Sequence, residues 1–217
     1  MTTGTIPSIV RNDGGLYEGD LKHYFRAVFN HATNLNNPYH NFRHMTHVLW
    51  LCYQACVFYS GGLLKRDMRN LLIAALFHDF DHTGSAGSDV INITLAVSGL
   101  RRHIAPEDDG EHERIAEIIK ATEYPHVVPP ERVGLLSRII RDADLSQALS
   151  VAWIQQVVFG LATEWGRAPL DVLRDQVSFQ KKLLFHTEWA QQMFSRLAVD
   201  TKVAEVQELV EILDVSV

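Results

Sequence analysis

Four short segments hold the side chains of this sequence that could bind a metal or move a proton. The densest is 74–82, Ala-Ala-Leu-Phe-His-Asp-Phe-Asp-His, where an apolar run ends in His78, Asp79, Asp81 and His82. An unpaired carboxylate or imidazolium is costly in apolar surroundings, and a divalent cation offsets that cost directly. The second segment, 39–44, reads Tyr-His-Asn-Phe-Arg-His. His40 and His44 are four apart, a spacing that puts both on one face of a helix. The third, 121–126, ends in His126 and contains Thr122. The fourth, 141–146, is Arg-Asp-Ala-Asp-Leu-Ser inside an apolar helical pattern, where Asp144 is a buried charge in need of a partner. A His, then His-Asp, then a distant Asp makes a mixed nitrogen and oxygen set. Such a set suits Zn²⁺, Mn²⁺, Fe²⁺ or Co²⁺ better than Ca²⁺.

Helices must position these groups. Leu21, Phe25, Val28 and Phe29 recur at helical spacing, and Asn-Leu-Asn-Asn-Pro at 34–38 stops that helix. A second helix starts within 39–42 and runs to about 60. A third, 65–77, delivers His78 and Asp79. Further helices are expected over 89–103, 112–122, 131–145 and 151–165, with two more between 169 and 213 divided near His186. Period-two alternation is nowhere sustained. The pattern predicts an all-α, compact bundle of about eight to ten helices. Residues 1–17 read as a flexible lead-in and 18–217 as a single domain. Glu107 to Glu113 reads as a solvated loop, and Trp153, Trp165 and Trp189 as core.

Composition narrows the function classes. Hydrophobic residues make up 47 % of the 217, enough for a sizeable core, and the net charge is −6. No Lys/Arg run is present, so a large nucleic acid is not an expected partner. No apolar run is long enough to span a bilayer. The first fifteen residues lack the charged and apolar regions of a signal peptide. Cys52 and Cys56 lie within an apolar helical pattern and read as reduced core residues. A cytoplasmic protein without a membrane partner is the expectation. The oligomeric state is not legible.

The order His44, His78-Asp79, Asp144 resembles the HD-domain superfamily of metal-dependent phosphohydrolases. Within it, the chain is most similar to the catalytic core of class I cyclic-nucleotide phosphodiesterases. Tyr-His-Asn-Phe-Arg-His resembles their Tyr-His-Asn-x-x-His, and His78 to Gly84 their His-Asp-x-Asp-His-x-Gly. Ala121-Thr122 with His126, and Ala143 to Ser146, also have counterparts, as do Gln176 with Phe179 and His186 with Trp189. The resemblance covers about residues 39–189. It implies that His44, His78, Asp79 and Asp144 hold a first metal, with Asp79 and Asp144 also facing a second. One or two divalent ions (Zn, Mn, Fe, Co, Ni or Mg) are implied. His82 and Thr122 would orient water beside them, and His40 would protonate the leaving oxygen. Gln176 and Phe179 would hold the base of a nucleotide. The implied reaction is hydrolysis of a small nucleotide phosphodiester by metal-activated hydroxide. The chain departs from the family at Gln147, which replaces an Asn, and lacks the family's Glu-Asn-His-His segment. No acidic partner for His40 can be placed.

Three competing readings use the same residues. A phosphomonoesterase or nucleotidase would share the metal centre. A di-iron oxygenase would need further ligands, for which His103, His112 and His126 are available. A non-catalytic signalling or binding module could dispense with the ligand set altogether.

Overall fold

The computed structural model describes residues 4–87 and 89–214. These residues form eleven α-helices and no strand, as the absence of period-two alternation predicts. In chain order they are α1 (Ile6–Arg11), α2 (Lys22–His31), α3 (Phe42–Phe58), α4 (Lys65–Phe77), α5 (Val90–His103), α6 (His112–Lys120), α7 (Leu135–Leu145), α8 (Phe159–Trp165), α9 (Pro169–Lys182), α10 (Glu188–Met193) and α11 (Arg196–Asp214). The count exceeds eight to ten because two short helices carry no sustained period. The final third holds three helices instead of two. The stretch 151–165 begins with a π-helical turn, Ile154–Val158, before α8.

The bundle is built around α4. Every residue from Met68 to Phe77 is buried, and the helix packs against α2, α3, α5, α6 and α7. A helix buried on all sides, with an unbroken apolar run from Leu71 to Phe77, belongs in the middle of a bundle. It ends at Phe77, and Phe80 in the following turn stacks on Phe77. That turn fits because α5 has Gly99 opposite it: a Cβ there would lie 2.3 Å from the Phe80 ring. The end of α4 is thus fixed by packing, and His78 and Asp79 emerge from it at a set place.

A second, smaller core joins Trp153, Val157, Val158, Leu161, Val172, Leu173 and Val206. It unites the π-turn with α8, α9 and α11 into a cap beside the main bundle. Gly160 lets α8 approach the segment before α3, since a Cβ there would sit 3.0 Å from the Pro38 carbonyl oxygen.

Two expectations are corrected. The stretch 1–17 is not wholly a loose lead-in: Thr5 caps α1, Ile9 is fully buried, and the Tyr17 hydroxyl donates to the Ile9 carbonyl inside the core. Residues 1–3 lie outside the described residues. Nor is the acidic stretch 107–113 simply a solvated loop. Asp108 is fully buried, accepting from Arg69 Nη2 at 2.6 Å, Arg66 Nη1 at 2.5 Å and the Tyr24 hydroxyl at 2.6 Å. The two guanidiniums and the phenol supply the donors that a charge needs when it leaves water. Asp108→Ala would strand the buried Arg69, so a loss of about 3–5 kcal/mol in urea unfolding is expected. A loss below about 1 kcal/mol would show that the pair is relaxed by solvent.

Candidate metal centre

Three helix ends meet at one point. Asn41 caps α3, its side-chain oxygen accepting from the backbone N–H groups of Arg43 at 2.9 Å and His44 at 3.1 Å. His44 therefore stands in the first turn of α3. His78 and Asp79 lie at the C-terminus of α4, and Asp144 in the last turn of α7. Helix C-termini carry partial negative charge, so carboxylates there are doubly in need of a cation.

The donor atoms converge. His44 Nε2 lies 2.9 Å from Asp144 Oδ1, 3.4 Å from Asp79 Oδ2 and 3.3 Å from His78 Nε2. His78 Nε2 lies 3.4 Å from Asp79 Oδ2 and 3.6 Å from Asp144 Oδ1. His44, His78 and Asp79 form one compact metal-capable group, and Asp144 stands next to it through both imidazoles. Ligand atoms about 2.1 Å from one ion are about 3.0–3.4 Å from one another, close to the 2.9–3.6 Å found here.

The outer atoms of both imidazoles are already engaged. His78 Nδ1 donates to the Ala75 carbonyl at 2.9 Å, and His44 Nδ1 to Gln147 Oε1 at 2.6 Å. Each ring thereby turns its Nε2 inward, the nitrogen that metal-ligating histidines offer once its proton has left. Asp79 Oδ2 is buried and has no hydrogen-bond partner among the described residues. Two inward Nε2 atoms and an orphaned carboxylate oxygen fit a divalent ion.

Without an ion, the cluster compensates with protons. Burial pushes the His78 imidazole down, but the Asp79 and Asp144 charges outweigh it and hold it at about 9. Burial raises Asp79 and Asp144, and the histidines more than reverse this, so both carboxyls lie below their ordinary range. A metal must displace the His78 proton. Affinity for Mn²⁺ should therefore climb about tenfold per pH unit from about pH 6 to 8, still below the raised value. Chelator-buffered Mn²⁺ titrations across that range would test this, and a flat profile would show that no proton is exchanged for the ion.

His40 is not on the same helix face as His44. It precedes the cap of α3, in an irregular segment, and its carbonyl accepts from Asn34 Nδ2. Its Nδ1 meets Glu164 Oε1 at 2.5 Å. Glu164 Oε2 also accepts from the backbone N–H groups of Tyr39 at 2.8 Å and His40 at 3.0 Å. Glu164 on α8 is thus the acidic partner that could not be placed. Its signal was an acid at the end of an apolar helical run, a charge that had to find a donor. Burial lowers the His40 pKa, and the Glu164 hydrogen bond with the Asp79 and Asp144 charges reverses this to a net rise. The His40 bond likewise outweighs burial and holds the Glu164 carboxyl below its usual range.

His82 does not join the ligand cluster. Its ring stacks on His40 with centroids 3.7 Å apart, and its Nδ1 accepts from the Gly84 N–H. Burial drives its pKa down to about 4, so it is neutral. Asp81 points elsewhere: with a left-handed backbone (φ 63°), it accepts from Thr33 and Arg102. Thr122 is buried at the end of α6, its hydroxyl donating to the Ile119 carbonyl.

His40, His78, Asp79, His82, Thr122 and Asp144 line one cavity of about 610 Å³, whose far wall is the cap. Gln176 and Phe179, three apart on α9, line it as well. Gln176 is buried with no hydrogen-bond partner for its Oε1 among the described residues. Phe179 is half-buried beside Tyr124. Trp153 and Trp189 are core, whereas Trp165 borders the cavity. Among the described residues a second metal-capable group is formed by His40, His82 and Glu164; His103, His112 and His126 belong to neither group, so these further histidines are not at the cluster.

Among the described residues no single helix is long and apolar enough to cross a membrane. One bent pair, Leu135–Leu149 with Ile154–Trp165, passes by length and composition alone, but it turns through 104° and carries Asp144 and Glu164 into the site.

No protein-family model matches the chain, and no solved structure does either. Among curated proteins it is similar to the high affinity cGMP-specific 3′,5′-cyclic phosphodiesterase 9A of mouse (Mus musculus), 31 % identical over 129 residues, covering 51 % of this chain and 22 % of that protein. The chimpanzee (Pan troglodytes) protein of the same name is 28 % identical over 125 residues, covering 51 % of this chain and 20 % of its own length. The chain spans about a fifth of the length of these relatives, and over about half of its own length it has a distant, phosphodiesterase-like relationship to them.

Proposed function

We propose that this chain is a metal-dependent phosphohydrolase of the HD type, acting on a small nucleotide phosphodiester. The observation that carries the reading is an inward-facing His/His/Asp/Asp donor set, three of whose members (His78, Asp79 and Asp144) share one cavity with the acid-paired His40. The similarity to cGMP-specific phosphodiesterases supports the substrate class.

When bound, a divalent ion supplies Lewis-acid stabilisation of phosphoryl charge and acidification of water. His44, His78, Asp79 and Asp144 are the residues that would hold it, and Asp79 and Asp144 would face a second ion. The remaining work falls to the chain itself. His40 keeps a proton on Nε2 while its Nδ1 is held by Glu164, and it gives that proton to the oxygen that leaves phosphorus. Glu164 keeps the ring charged and aimed. His82, neutral and stacked flat on His40, fixes the ring plane and shields it. Phe179 offers a face to a base, and the unpartnered Gln176 amide oxygen seeks a donor on its edge. Val157, Leu161 and Val172 keep water from that side of the cavity.

The test is a screen of cyclic nucleotides, nucleoside monophosphates and bis-p-nitrophenyl phosphate with Mn²⁺ or Zn²⁺ restored, alongside an oxygen electrode. Turnover of a phosphodiester that stops on chelation is expected. Metal-loaded protein that cleaves no phosphodiester, or consumes oxygen, would overturn the reading.

A further inference from the structure

Two amides lie between the donor cluster and the cap, and only the contact of one of them with His44 has entered the chemistry described so far. Gln147 lies in the 3-10 turn Ser146–Leu149, directly after α7, and is 2 % exposed. Its Oε1 lies 2.6 Å from His44 Nδ1, and its Nε2 donates to Gln156 Oε1 at 2.8 Å. Gln156 is half-buried in the π-helical turn Ile154–Val158. Single π-turns inside helical segments often mark functional positions because the extra residue re-aims its side chains.

Resting on the metal-centre reading above, we infer that Gln147 is a positioning residue that sets the tautomer of His44, and that Gln156 sets the direction of the Gln147 amide. A primary amide can turn either its oxygen or its NH₂ to a neighbour. With the oxygen turned to His44, the Nδ1 proton is held in place, and Nε2, 2.9 Å from Asp144 Oδ1, is the nitrogen left to give way to a cation. With the NH₂ turned to His44, Nδ1 would be the acceptor. The proton would move to Nε2, between His44 and Asp144, where it blocks a cation. In the structure Gln156 turns its carbonyl to Gln147 and takes the Gln147 NH₂, which leaves the Gln147 oxygen for His44. The relay also ties the cap to a ligand: the π-turn reaches His44 through Gln147, as Glu164 on α8 reaches His40. Both residues that the cluster and the acid depend on are thus held from the same side of the cavity.

The experiment measures Mn²⁺ affinity of the full chain by competition with a fluorescent chelator, with thermal unfolding of the metal-free protein as a control. Partners of a ligating histidine typically contribute 10- to 100-fold in affinity. Gln147→Leu should weaken Mn²⁺ binding by about that factor. Gln147→Glu should bind Mn²⁺ at least as tightly as the wild type, since a carboxylate accepts the Nδ1 proton more strongly. Gln156→Leu should weaken binding less than Gln147→Leu. In Zn²⁺-loaded protein the His44 Nδ1 proton should give an imidazole signal protected from exchange, and Gln147→Leu should abolish it. Affinity within twofold of wild type in Gln147→Leu, or equal weakening in the Glu and Leu variants, would overturn the positioning role while leaving the metal centre standing. If Gln147→Leu does not fold, unchanged affinity in Gln156→Leu overturns the relay. A wild type that takes up no Mn²⁺ would sink the metal centre itself.

Discussion

Replacing Asp79 with Ala should empty the centre and abolish hydrolysis while the helices remain. Asp79 Oδ2 is buried without a hydrogen-bond partner and lies 3.4 Å from both inward imidazole nitrogens. Among the described residues its side chain reaches only the two cluster imidazoles and ties no helix to another by a hydrogen bond, so far-ultraviolet circular dichroism should be unchanged. Lewis-acid stabilisation is worth several kcal/mol in a reaction of this kind, so the rate should fall by roughly 10³-fold or more. Asp144→Ala should do the same, because its Oδ1 bridges the two histidines from the end of α7. Elemental analysis of the purified variants, set beside their phosphodiesterase rates, makes the measurement. An Asp79→Ala protein that retains a full metal equivalent would mean that the ion, if any, sits elsewhere.

The acid should be separable from the ligands by the choice of leaving group. His40→Ala is expected to keep its metal and lose about 10²- to 10⁴-fold with a ribose phosphodiester, whose leaving alkoxide is strongly basic. With bis-p-nitrophenyl phosphate the loss should be small, since p-nitrophenolate departs without a proton. Glu164→Gln should show a weaker form of the same pattern. Glu164 raises the His40 pKa against the lowering effect of burial, so its removal lets the imidazole lose its proton at lower pH. Activity on the alkyl ester depends on the protonated form and falls as pH rises through that value. The alkaline limb of the rate profile should therefore move to lower pH in Glu164→Gln. Equal losses on both esters in His40→Ala, with loss of metal, would make His40 a ligand.

Three of the metal-capable residues were legible in the sequence because they stand at chain positions that local physics marks. His78 and Asp79 end an apolar run, and Asp144 is a charge inside an apolar helical pattern. His44 was singled out by the order of the resemblance, since its spacing from His40 is a weak signal by itself. The helical class followed from the same periodicity, and the span 65–77 matches α4. The division of labour within 78–82 was not legible. Four polar side chains in five positions look alike in sequence. Only the turn after Phe77, seated where Gly99 leaves room for Phe80, sends His78 and Asp79 to the cluster, His82 against His40, and Asp81 away to Thr33 and Arg102. Glu164 and Gln147 lie 124 and 103 positions from the histidines they hold. Periodicity reports which face of a helix is buried and is silent on which distant helix that face will meet. That pairing is decided by how the cap closes on the bundle, where every buried donor must find an acceptor at once.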